Sequence, residues 1–128
     1  MLKEGISGEA TTCVSTENTA VTMGSGTLPV FATPAMVALV EKAAWSSVAG
    51  ELEDGQSTVG ISMTLSHESA TPVGLKVTVK TTLTAIDRRK LTFSWEASDE
   101  AGIIGRGTHE RFIVTDEKFV AKAERKKS

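Results

Sequence analysis

Hydrophobic and polar residues alternate with a period of two over most of the second half of the chain. From Gly60 to Glu68, the residues Ile61, Met63 and Leu65 fall on one face, and Ser62, Thr64, Ser66 and Glu68 on the other. Leu75, Val77, Val79, Leu83 and Ala85 alternate with Lys76, Thr78, Lys80, Thr82 and Thr84; after a polar reversal at Asp87-Arg88-Arg89-Lys90, so do Leu91, Phe93, Trp95 and Ala97 with Thr92, Ser94, Glu96 and Ser98. A second reversal from Asp99 to Gly102 introduces a last strand ending in Phe112, Ile113 and Val114. Earlier, residues 9–17 predict a first strand rich in Thr and Val. A polar-then-apolar segment from Thr19 to Met23 closes in the turn signal Gly24-Ser25-Gly26. Between these halves lies one helix, predicted from Pro34 to Ala49. Thr33 stands at its N-cap and Pro34 at its first helical position. Met36, Leu39, Val40, Ala43 and Ala44 make its apolar stripe, and its many Ala and Ser residues keep it slim enough for a sheet to pack closely. One long helix followed by an antiparallel meander, half buried on one face, is an α+β single domain over residues 1–128.

Composition narrows the classes. The 128 residues are 40% hydrophobic and 23% charged with a net charge of −2, which gives no reason to expect a nucleic-acid partner. Lys118, Lys122, Arg125, Lys126 and Lys127 gather at the C-terminus, a run that reads as a solvated tail before an anion site. Cys13 is the single cysteine, so no intrachain disulfide forms and no Cys/His cluster resembles a zinc site. No segment approaches the length of a membrane span and no secretory leader is apparent, so the expected compartment is the cytoplasm.

Candidate chemistry begins at His67. The alternation places it on the face of Ile61, Met63 and Leu65, toward the core, where a ring that titrates near neutral pH needs a hydrogen-bond partner or a chemical task. An inward histidine satisfied by the core is the competing explanation. Thr33 is explained as a helix cap, Glu41 as a solvated helix residue, and Gly60 as a strand-start glycine or bulge. His109 and Arg111 are explained as ordinary strand residues.

Three segments, in order, resemble hotdog-fold thioesterases of the fluoroacetyl-CoA thioesterase type. The first, Phe31-Ala32-Thr33-Pro34-Ala35-Met36-Val37-Ala38-Leu39-Val40-Glu41, is similar to the start of that family's central helix. The second runs from Gly60 to His67 and on through Ala70-Thr71-Pro72-Val73-Gly74, and the third is Gly107-Thr108-His109-Glu110-Arg111. The resemblance extends from about Gly24 to the C-terminus. It implies a hotdog fold, in which a long antiparallel sheet wraps one central helix, and a homodimer joined edge to edge. It also implies a site at the subunit interface that admits an acyl-CoA, with Thr33, Glu41 and His67 as catalytic residues and Gly60 where the backbone approaches the thioester. No metal or redox cofactor is implied.

The chemistry of these residue types fits that expectation. Thioester hydrolysis needs an activated nucleophile and a group that stabilises the oxyanion. Thr33 lies at a helix N-terminus, whose free N–H groups and positive dipole end suit a developing negative charge. His67 can serve as general base, and Glu41 can orient the imidazole or activate water. Eight helical residues put Thr33 and Glu41 about 80° apart around the axis and about 12 Å along it, too far for direct contact. A site shared by two subunits removes that difficulty. Arg111 is a candidate for holding a CoA phosphate, and Phe31 for walling the acyl pocket.

One departure limits the carry-over. The family's choice of a fluorinated substrate is tied to bulky residues in a lid before the central helix, whereas residues 17–30 here are largely Thr, Ala, Gly and Ser, with no aromatic. A more open mouth suits a short or medium acyl-CoA. The alternative from another class is a non-catalytic hotdog module that binds acyl-CoA or acyl-carrier thioesters; a third is a dimeric scaffold with a vestigial site.

Overall fold

Among the described residues, five antiparallel strands make one sheet in the order β1-β3-β4-β5-β2. They are β1 (Ser7–Cys13), β2 (Gln56–His67), β3 (Lys76–Asp87), β4 (Lys90–Asp99) and β5 (Gly102–Thr115). The computed structural model describes residues 1–127; Ser128, the last residue of the expected domain, lies outside them. A short helix α1 (Ala20–Met23) precedes the long helix α2 (Thr33–Ala49), and α3 (Asp116–Glu124) follows the sheet. The first strand starts and ends earlier than its Thr/Val pattern predicts. Beyond Cys13 the chain turns into a 3-10 turn at Thr16–Asn18, where the Ser15 amide donates to the Asn18 side chain at 2.9 Å. The basic C-terminal run is carried by α3 and a 3-10 turn at Arg125–Lys127, all of it exposed.

The predicted stripe of α2 is its buried face: Met36, Leu39, Val40, Ala43, Ala44 and Val48 all pack inward. Each large apolar side chain buried there contributes about 1.5–3 kcal/mol. Small residues let β1 lie very close to the helix. A Cβ added at Gly8 would come 2.3 Å from the Ala43 carbonyl oxygen and 2.8 Å from the Ser47 Cβ. The core runs in two clusters along the helix, one around Phe31, Met36, Val40, Val77, Val79 and Trp95, the other around Ala44, Val48, Leu83, Leu91, Phe93 and Ile113.

Among the described residues the ladders shift register in three places: where Ala97 and Ser98 of β4 face β5, and at two points in β3 and β2 that overturn the expected alternation. Between Leu83 and Ala85 the β3–β4 register shifts, so Ala85, expected on the apolar face, is exposed and Ile86 packs on the core instead. Between Gly60 and Ser62 the β2–β5 register shifts in the same way. Ile61 is the extra residue there. It is 50% exposed rather than turned to the core, while Gly60 pairs with Arg111 and Met63 with His109. Leu65, also expected inside, is 39% exposed because β2 is the sheet edge.

Candidate active site

The first turn of α2 and the last residue of β2 meet at a side-chain hydrogen bond. Thr33 Oγ1 lies 2.7 Å from His67 Nδ1. The helix opens one residue earlier than its sequence predicts: Ala32 is the N-cap, Thr33 the first helical residue and Pro34 the second, with no side-chain cap. The Thr33 hydroxyl is engaged by His67 rather than by the helix's own amides. His67 is half-buried, and burial pushes its imidazole below the ordinary 6.5, which keeps the ring neutral at physiological pH. Its Nε2 is buried and has no hydrogen-bond partner among the described residues. Thr33 and His67 line a cavity of about 270 Å³ together with Ala20, Ser25, Val30 and Phe31. Phe31 is itself buried, so it offers the cavity a firm wall.

Glu41 sits two turns further along α2 and belongs to a second group. Its Oε2 accepts from Arg111 Nη1 at 3.0 Å, with the guanidinium almost fully buried and the carboxylate 41% exposed. Arg111 is fixed from three sides. Its Nε donates to Thr58 Oγ1 at 2.8 Å, its Nη2 to the Thr58 carbonyl at 2.9 Å, and Nη1 also reaches His109 Nε2 at 3.1 Å. Burial lowers the Arg111 pKa, and the Glu41 hydrogen bond and charge work against that shift. Gly60 is the floor of this group. A Cβ there would stand 2.6 Å from Glu41 Oε2, 3.3 Å from His109 Cε1 and 3.4 Å from Arg111 Nη1. The chain therefore brings Thr33, His67 and Phe31 together in one place, and Glu41, Gly60 and Arg111 in another.

A family model for fluoroacetyl-CoA-specific thioesterases matches residues 14–117. The chain belongs to that family. It is thereby one of the thioester hydrolases. A fluoroacetyl-CoA thioesterase of Streptantibioticus cattleyicolor is 42% identical over 97 residues, which span 76% of this chain and 70% of that protein. The solved structure of a threonine variant of the fluoroacetyl-CoA thioesterase FlK with acetyl-CoA superposes with a TM-score of 0.94 at 32% identity, covering 99% of this chain and 100% of that one. A hot-dog-like protein from Thermanaerovibrio acidaminovorans shares the fold at 18% identity, with a TM-score of 0.88 over 98% of this chain and 93% of its own. The antiparallel sheet packed on α2 is thus a hotdog fold, as the three motifs implied.

Within this thioesterase family scaffold, the arrangement offers an imidazole with one unpartnered nitrogen, a hydroxyl at a helix N-terminus, and a carboxyl group paired with a guanidinium. Groups of these types can supply the base and the hydrogen-bond donors that acyl transfer requires. Thr58 and His109 were not singled out as site residues by sequence. A signal for His109 existed: it shares a strand face with Arg111 and Ile113, so two polar side chains stand where the alternation calls for apolar ones. Nothing in the pattern around Thr58 marks it. Among the described residues no helix is long and apolar enough to cross a membrane.

Proposed function

We propose that this thioesterase hydrolyses short or medium acyl-CoA thioesters as a cytoplasmic homodimer, with the reacting centre shared between subunits. The observation that carries it is the 2.7 Å pair of Thr33 and His67 at the wall of a cavity, with the second imidazole nitrogen left unpartnered. In this scheme His67 Nδ1–H donates to Thr33 Oγ1, and the Thr33 hydroxyl proton is aimed at the thioester oxygen. The bare Nε2, brought from its buried position to the cavity by a small shift of the ring, takes a proton from water as the water adds to the carbonyl carbon. The oxyanion forms beside the Thr33 hydroxyl and the positive end of α2. When the intermediate collapses, the C–S bond breaks and the imidazolium returns its proton to sulfur, leaving free acid and CoA thiol. Both the imidazole and the hydroxyl end as they began.

Glu41 enters from across the interface. Within one chain it lies two helical turns from Thr33 and is turned to Arg111. An edge-to-edge dimer through β2 would bring Glu41 of the partner subunit to the thioester, where its carboxylate holds the attacking water. The exposed Ile61 and Leu65 on the open edge strand support that pairing. Four hydrogen bonds within the chain occupy Arg111, which favours an electrostatic role beside Glu41, close to the thioester, over a CoA phosphate contact. The absence of aromatics in residues 17–30, three of which, Ala20, Ser25 and Val30, line the cavity, supports an acyl range wider than a fluorinated two-carbon group.

Thiol release from a panel of acyl-CoAs, measured for the wild type and His67→Ala, tests this. Turnover of C2 to medium chains that collapses in the folded variant is the expected result. Turnover confined to a fluorinated acyl group overturns the substrate range. Thiol release by neither protein moves the function to thioester binding, and equal activity in both removes His67 from the mechanism.

A further inference from the structure

Behind Glu41 lies a buried histidine with both ring nitrogens committed. His109 is 2% exposed and stacks on Phe93, with ring centroids 6.3 Å apart and planes 30° apart. Its Nδ1 is 2.8 Å from the carbonyl oxygen of Ser62, the residue at which the β2–β5 register shifts. A carbonyl only accepts, so Nδ1 carries the proton. Its Nε2 is 3.1 Å from Arg111 Nη1, and a guanidinium only donates, so Nε2 presents its lone pair. The two contacts agree on one neutral tautomer. A second ring proton would face the guanidinium N–H directly.

Arg111 Nη1 has two protons. One goes to Glu41 Oε2 and the other to His109 Nε2, while Thr58 holds the opposite end of the guanidinium. With His109 in place, the direction in which Nη1 offers its remaining proton is set. Glu41 is a partly exposed side chain on a flexible stem, and that single charged donor is what fixes its carboxylate over Gly60. We propose that His109 is a positioning residue for thioester hydrolysis: as a neutral acceptor it locks Arg111, which in turn aims the Glu41 carboxylate at the reacting centre. This deepens, and rests on, the assignment of Glu41 to that centre.

The test compares His109→Phe, His109→Asn and His109→Gln, alone and with Glu41→Gln, in kcat, KM and melting temperature. Phe keeps the ring on Phe93 without polar atoms. Asn retains a donor near the Nδ1 position, and Gln an acceptor near Nε2. The expected result is a fall in kcat of about tenfold or more for Phe and Asn, with KM little changed, because small misplacement of a reacting group is costly. Gln recovers kcat to within roughly threefold of wild type, and in the Glu41→Gln background His109→Phe costs less than about threefold more, the non-additivity of groups acting as a unit. If His109→Phe fails to fold, the Asn and Gln pair decides the matter. Near wild-type kcat in folded Phe or Asn variants overturns the positioning role while leaving Glu41 in place. Full activity of Glu41→Gln alone overturns both the role of Glu41 and the positioning that depends on it. Nitrogen-15 NMR of the wild-type imidazole supplies a readout independent of any substitution: a proton on Nε2 of His109 at neutral pH overturns the assignment.

Discussion

Thr33 Oγ1 and His67 Nδ1, 34 positions apart in the chain, stand 2.7 Å from one another and tie the start of the central helix to the end of the edge strand. Were Thr33 only a helix cap, its hydroxyl would serve a backbone amide in the first turn, and α2 has no such bond. Thr33→Val removes the hydroxyl at nearly constant shape. The expected loss in kcat is on the order of ten- to a thousandfold, the range for one oxyanion donor together with a disoriented base. Thr33→Ser restores most of it. Steady-state kinetics checks the magnitude. Mass spectrometry of enzyme quenched during turnover checks the role, since an acyl group found on Thr33 would make the hydroxyl the nucleophile and replace the water route.

Gly60 is needed for space rather than for an unusual backbone angle. Its missing Cβ leaves room for Glu41 Oε2, which would otherwise sit 2.6 Å away. The obstructing atom is the far end of a flexible side chain, so Gly60→Ala is expected to fold with a melting temperature close to wild type. The carboxylate, displaced from Arg111, is expected to lower kcat about tenfold or more. A Gly60→Ala enzyme of wild-type activity would remove Glu41 Oε2 from the place assigned to it. Gly107 gives the contrast: a Cβ there would lie 1.9 Å from the Thr64 backbone oxygen, so Gly107→Ala is expected to loosen the β2–β5 ladder and lower the melting temperature outright.

Both histidines are expected to make the protein sensitive to acid. Burial lowers the pKa of His67 and of His109 below the ordinary 6.5. Between each depressed value and 6.5 the unfolded chain binds more protons than the folded one, so stability rises with pH in that window. The contribution is fully present above about 6.5 and is lost as pH falls through the folded values. Chemical denaturation from pH 7.5 down to pH 5, with His67→Ala and His109→Gln as references, is expected to show that loss shrinking in each variant. The pH profile of kcat/KM is expected to fall on the acid side with a midpoint below 6.5, because the base must be neutral to accept a proton. A midpoint at or above 6.5 would mean that a carboxylate such as Glu41 of the partner subunit outweighs the burial of His67.

Strict periodicity carried most of the fold and stopped at the bulges. The stripe of α2 and the faces of β3 and β4 follow from spacing alone, since burial on one side of a helix or sheet imposes it. The alternation assigns Ala85 and Ile61 to the core because a bulge adds one residue without any mark in composition, and the parity on one side of it is opposite to that on the other. His67 is on the same strand face as Met63 only because both lie beyond the shift. The motifs named Thr33, Glu41 and His67, but their division into two groups was not legible. It depends on Arg111, which reaches Glu41 from a strand 70 positions away. The C-terminal helix was equally hidden. None of its residues is buried, so no apolar stripe announced it.

The proposed placement of Glu41 rests on the open edge of the sheet. β2 pairs with β5 on one side only, and its Ile61 and Leu65 are 50% and 39% exposed. An edge strand with exposed branched side chains invites pairing with a second copy, and a two-fold arrangement would use the same strand from both subunits. Ile61→Asp and Leu65→Lys together are expected to give a folded monomer, because buried charge at such an interface costs more than the apolar contact it replaces. Sedimentation velocity reads the mass, and thiol release on the same samples reads the activity. A monomer that has lost activity, with Thr33 and His67 still paired by crystallography, places the missing group on the partner. If the doubly substituted protein is monomeric and fully active, Glu41 must act within its own chain and the shared site is abandoned. A dimer that persists despite both charges puts the interface elsewhere on the molecule.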